Sequence, residues 1–110
     1  MKPAKIHVPT NIQELLELLS VMLVSAPKFL DKTGYFPYLN LEHIFRELKA
    51  GLNHNRPALG EERYHELMRM SDRMRAYFEA DPEDKTGETT KGCKIILEME
   101  DILKEARRKS

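Results

Sequence analysis

Tryptophan is absent from these 110 residues, cysteine occurs once, as Cys93, and aromatics amount to four tyrosines and four phenylalanines. A lone thiol excludes an internal disulfide framework and any zinc site built on several cysteines. It fits a reducing compartment, and the expected location is the cytoplasm. An excess of either charge is also missing, since eighteen Lys and Arg balance eighteen Asp and Glu. That balance excludes the basic surplus of an ordinary nucleic-acid binder and any strong global pull toward anionic membranes. No apolar run has membrane length. Residues 15–24 come nearest, and they are too short and are broken by Glu17. The same stretch, preceded by Lys2 and Lys5 and followed by Ser25-Ala26, faintly imitates a signal peptide. Glu14 and Glu17 argue against that reading.

What the chain does contain is helical periodicity. Ile12, Leu15, Leu16, Leu19, Met22 and Leu23 recur at three- and four-residue steps, and Leu18, Val21 and Val24 carry apolar surface further round the same cylinder. A helix apolar on nearly all sides is either central or meets another chain. Thr10-Asn11-Ile12-Gln13 has the form of a capping box. Leu41, Ile44, Phe45, Leu48 and Leu52 make a second stripe, opened by Asn40 and closed by Gly51 or Asn53. Tyr64, Leu67, Met68, Ser71, Met74 and Phe78 make a third, stopped by Asp81-Pro82, and Ile95, Ile96, Met99, Ile102, Leu103 and Ala106 make a fourth. No stretch alternates apolar and polar residues over a strand's length. The expected fold is therefore all-α: a single domain over residues 1–110, an antiparallel four-helix bundle with helices at about 11–26, 40–52, 60–80 and 90–108. Asp-Lys-Thr-Gly occurs at 31–34 and again at 84–87, between predicted helices each time, which raises a duplicated helical hairpin as an alternative history.

Candidate chemistry is sparse. Glu62 and His65 have the Glu-x-x-His spacing of di-metal bundles, but a full site needs a second such pair and two more inward carboxylates, and the second helix offers only Glu42, His43 and Glu47. No metal and no cofactor are expected. Cys93, two residues before the Ile95 stripe, reads as an inert, partly buried thiol. Lys32-Thr33-Gly34 and Lys85-Thr86-Gly87 lack the upstream glycines of a phosphate cradle. Arg69, Arg73 and Arg75 are interleaved with Glu66, Asp72 and Glu79, as on a solvated face. The connections differ from the polar default. Tyr35, Phe36 and Tyr38 put aromatics in a loop, and Glu79, Asp81, Glu83 and Asp84 concentrate acid around another. Loops are where recognition residues tend to lie, so these seven are the candidate partner contacts.

The order of features resembles a known family. Gly34-Tyr35 precedes an amphipathic helix. The next helix carries Tyr64-His65-Glu66-Leu67 and closes with Met74-Arg75-Ala76-Tyr77-Phe78-Glu79-Ala80 into Asp81-Pro82-Glu83. This is similar to the helical immunity proteins that neutralise NAD(P)-degrading toxins of bacterial type VI secretion, over residues 34–83. The resemblance implies a non-enzymatic inhibitor that binds a cognate toxin domain and blocks entry to its active site. The competing expectations are a homodimeric adaptor or chaperone-like protein joined through the first helix and, more remotely, a metal-dependent enzyme around Glu62 and His65.

Overall fold

The computed structural model describes residues 8–25, 41–81 and 85–109, and all its regular structure there is helical. The helices are α1 (Ile12–Ser25), α2 (Leu41–His54), α3 (Arg56–Leu59), α4 (Glu61–Ala80) and α5 (Glu88–Lys109). Four lie within a few residues of the four expected spans; α3 is additional.

Local chemistry explains the differences. At the start of α1 the cap sits one residue later than Thr10: Asn11 Oδ1 accepts the Glu14 N–H at 2.8 Å, and Glu14 Oε1 accepts from the Thr10 N–H and hydroxyl at 2.7 and 3.0 Å. Gln13 is thereby left to meet Arg107 of α5. Gly51, expected to end α2, lies inside it. A Cβ there would stand 2.8 Å from Pro9 Cδ and 2.9 Å from Leu15 Cδ2, so the missing side chain is what lets α2 approach the start of α1. The expected connection at 54–57 contains α3, whose proline falls in the first turn, where its absent N–H costs nothing. Gly60, at φ 84°, then turns the chain into α4 through a conformation that other residues resist.

Side-chain pairs fix the helix directions. Gln13 meets Arg107 and Ser20 meets Glu100, so a step of seven residues along α1 (13 to 20) matches seven back along α5 (107 to 100). The two helices are antiparallel. Between α2 and α4, Phe45 stands 6.5 Å from Phe78, Lys49 pairs with Asp72 at 2.6 Å, and the Tyr64 hydroxyl reaches Asn53. That order is also antiparallel. Phe78 lies beside Gly92, whereas Glu66 and Glu105 share a cleft near the other end, so α4 and α5 oppose each other too. Among the described residues α1 packs on α5 and α2, α4 packs on α5 and α2, and the backbones of the diagonal pairs α1–α4 and α2–α5 do not come close. The contacts close a ring.

Inside the ring Leu15, Leu19, Met22, Phe45, Leu48, Leu52, Leu67, Met74, Phe78, Ile96, Met99 and Leu103 are wholly buried. Each such side chain contributes about 1.5–3 kcal/mol of burial free energy before entropy is counted. Ser71 is buried with them, and its hydroxyl has no hydrogen-bond partner.

Candidate functional site

Of the seven expected partner contacts, Tyr35, Phe36, Tyr38, Glu83 and Asp84 lie outside the described residues. Glu79 is exposed on the last turn of α4, 3.5 Å from the Arg75 guanidinium. Asp81 is different from its expectation. It is 2% exposed, and its carboxylate is occupied by the chain itself. One oxygen accepts the backbone N–H groups of Lys85 and Thr86 at 2.7 and 3.1 Å, and the other accepts that of Thr89 at 3.2 Å. The Thr89 hydroxyl donates back to the Asp81 carbonyl at 3.0 Å. Burial by itself would raise this carboxyl. The N–H donors of Lys85, Thr89 and Thr86, with the Thr89 hydroxyl, outweigh it and hold the group down at about 2. Asp81 thus fastens the entry of α5 and offers no free carboxylate to a partner.

The Glu62–His65 spacing is not used as a pair. His65 lies 3.3 Å from Glu61, and Glu61 is itself gripped by both forks of Arg56 at 2.6 and 2.7 Å. The hydrogen bonds from Arg56 hold the Glu61 carboxyl below the usual range, and Glu61 in turn raises the guanidinium. Arg56 also stacks over the Tyr64 ring at 4.5 Å. These groups tie α3 to α4 on an exposed surface. Glu62 instead lines an open cleft of about 430 Å³ with Glu66, Glu105 and Ile102. Among the described residues no three His, Cys, Asp or Glu side chains converge as metal ligands would. Cys93 is half-buried beside the core. No described helix is long and apolar enough to cross a membrane.

The feature that stands out lies on the outer face of α1 and α5. Val21, Val24 and Leu97 are the large apolar side chains exposed among the described residues, at 54%, 79% and 49%. The register set by Gln13–Arg107 and Ser20–Glu100 brings them together: Val24 is level with Ile96 and Leu97, and Val21 with Met99. Around them the face is polar, with Glu17, Ser20, Lys94, Asp101 and Lys104 exposed. An apolar centre with a polar rim is the anatomy of a protein-docking surface. The excess apolar surface of the first helix was visible in the sequence through Val21 and Val24. Leu97 was not, because it follows Ile95 and Ile96 and only the packing of α5 shows which of these neighbours turns outward.

No family model, no curated protein and no solved structure matches this chain.

Proposed function

We propose that this chain is a non-catalytic protein-binding module, an antiparallel four-helix bundle acting in the cytoplasm. One observation carries the binding reading: three large apolar side chains stand in solvent at the same level of two adjacent helices, where a monomer that meets no other protein gains nothing by exposing them. A bundle whose interior is already packed loses little conformational entropy on docking. The choice of partner rests on the sequence resemblance alone, which points to an NAD(P)-degrading toxin domain. In that complex Tyr35, Phe36, Tyr38, Glu79, Glu83 and Asp84 supply aromatic anchors and acid against a basic active-site rim. The role of Asp81 is to hold Lys85, Thr86 and Thr89 at the entry of α5.

The test mixes the purified chain with a purified NAD(P)-degrading toxin domain taken from any reading frame found next to its own. A stoichiometric complex with loss of NAD(P) hydrolysis is expected. Full hydrolysis in the presence of excess chain removes the toxin reading. Val24→Asp and Leu97→Asp, checked for unchanged melting temperature, probe the docking face: if neither changes complex formation or the mass of the chain in solution, that face is not a binding surface.

A further inference from the structure

We infer that the cavity between the start of α1, α3 and the end of α5 is a binding site for a neutral carboxamide, whose N–H donates to Asn55 and whose carbonyl accepts from the first turn of α1. The site lies apart from the outer face of α1 and α5, since Val21 and Val24 stand near the other end of α1.

The cavity encloses about 380 Å³, and Ile12, Gln13, Asn55, Ala58 and Arg107 are among the residues that line it. That volume is within the range of small-molecule sites. Asn55 gives it a polar wall. The residue is 5% exposed, and its amide nitrogen is spent on the Pro9 and Gly51 carbonyls. Those two bonds fix the orientation of the amide and leave Oδ1 over. Oδ1 does not cap α3, and it has no partner among the described residues. Nor is it sealed in the core, because the unpartnered side-chain oxygen that is closed off from solvent there belongs to Ser71. The cavity that Asn55 lines is therefore where Oδ1 opens. A nearly buried acceptor aimed into a cavity calls for a donor.

The opposite requirement lies on α1. A helix leaves the N–H groups of its first turn unbonded. Asn11 Oδ1 takes that of Glu14, whereas those of Ile12 and Gln13 have no partner among the described residues. A ligand that satisfies both walls carries an acceptor beside a donor, and a carboxamide does so in one planar group. Charge selects the neutral form. Arg107 on the wall is cationic, and Glu14, bonded to Thr10 on the same wall, is anionic. A carboxylate would gain from the first and lose against the second, and it brings no donor for Asn55. An ammonium group brings no acceptor for the first turn. Ile12 and Ala58 supply apolar wall, so the body attached to the amide is apolar too. Small aromatic amides and the glutamine side chains of proteins share this chemistry.

The experiment is an amide-resolved NMR titration of the full chain with benzamide. The expected result is a saturable shift of the Ile12 and Gln13 backbone signals and of the Asn55 side-chain amide, with a Kd of about 1 mM. N,N-dimethylbenzamide, which lacks the donor, and benzoate each bind at least about tenfold more weakly. Ala58→Phe, which places a ring in the cavity, removes the shifts while the thermal melt is kept. A blocked tripeptide with glutamine at its centre separates the two sources: binding tighter than that of benzamide assigns the site to a protein side chain, and weaker binding assigns it to a small amide. No saturable shift up to the solubility limit means that the cavity holds water only, and overturns the inference. Equal binding of N,N-dimethylbenzamide overturns it as well, because the Asn55 oxygen then selects nothing. Tighter binding of benzoate overturns the neutral class. Shifts that persist in a folded Ala58→Phe variant overturn the location, and if that variant does not fold, the ligand series on the unaltered chain decides alone.

Discussion

The ring of Phe78 occupies the place where a side chain on Gly92 would begin: a Cβ there would stand 2.6 Å from one ring carbon and 2.7 Å from the next. Both residues are buried, and the ring is wedged between α2, through Phe45, and the first turns of α5. In an open helix, Gly→Ala gains about 1 kcal/mol from propensity. Here Gly92→Ala is expected to lose about 1–3 kcal/mol, because a Cβ 2.6 Å from the ring forces a fully buried side chain to shift within the core. Urea unfolding of the variant measures it. Adding Phe78→Leu to Gly92→Ala should recover part of the loss, and a stabilised single variant would show that the ring does yield.

Asn55 joins the ends of three segments. Its amide donates to the Pro9 carbonyl at 3.0 Å and to the Gly51 carbonyl at 2.7 Å, from a position 5% exposed. Both contacts require a donor. Asn55→Asp should therefore destabilise as much as Asn55→Ala or more, by about 1–3 kcal/mol, despite its closer shape. If Asn55→Asp unfolds at the wild-type urea concentration, the two hydrogen bonds contribute nothing net.

Ser71 gives a prediction of opposite sign. Its hydroxyl is fully buried and unpartnered, so it brings a desolvation cost with no compensating bond. Ser71→Ala is expected to leave stability unchanged or to raise it by up to about 1 kcal/mol. A thermal melt with a lower midpoint than wild type would contradict this.

Asp81 makes stability depend on acid. Its folded-state pKa lies at about 2 against an ordinary 3.8, so the folded protein binds the proton less readily than the unfolded chain does. The stabilisation is complete above the ordinary value and is lost as pH falls from there through about 2. Melting temperature should fall over that interval. In Asp81→Asn the curve should start lower at neutral pH and have a shallower acid limb. Equal slopes in the two proteins would assign the acid limb to other carboxylates.

The parts of this structure legible in the sequence were those written in local periodicity. The stripes of α1, α2, α4 and α5 depend on residues three and four apart, and their cores follow directly. What the sequence concealed was decided at a distance. Gly51 looks like a helix stop until Pro9 and Leu15 are seen lying against it. Asp81, in an acidic stretch before a proline, looks solvated until the backbone N–H groups of Lys85, Thr86 and Thr89 close on its oxygens. The candidate docking face was half legible, since an apolar excess on one helix is a local property and the alignment of Leu97 with Val24 is not.

The helix ring has a temporal consequence. The contacts of α5 with α1 join residues 80 and 94 positions apart, whereas its hairpin with α4 is local. Distant closures of this sort come late in folding. During synthesis α1, α2 and α4 all emerge before α5, so the apolar stripes of α1 and α4 have no cover from it until translation reaches that segment. The nascent polypeptide must cross an interval in which it is sticky, and ribosome-associated chaperones are the natural guardians of such an interval.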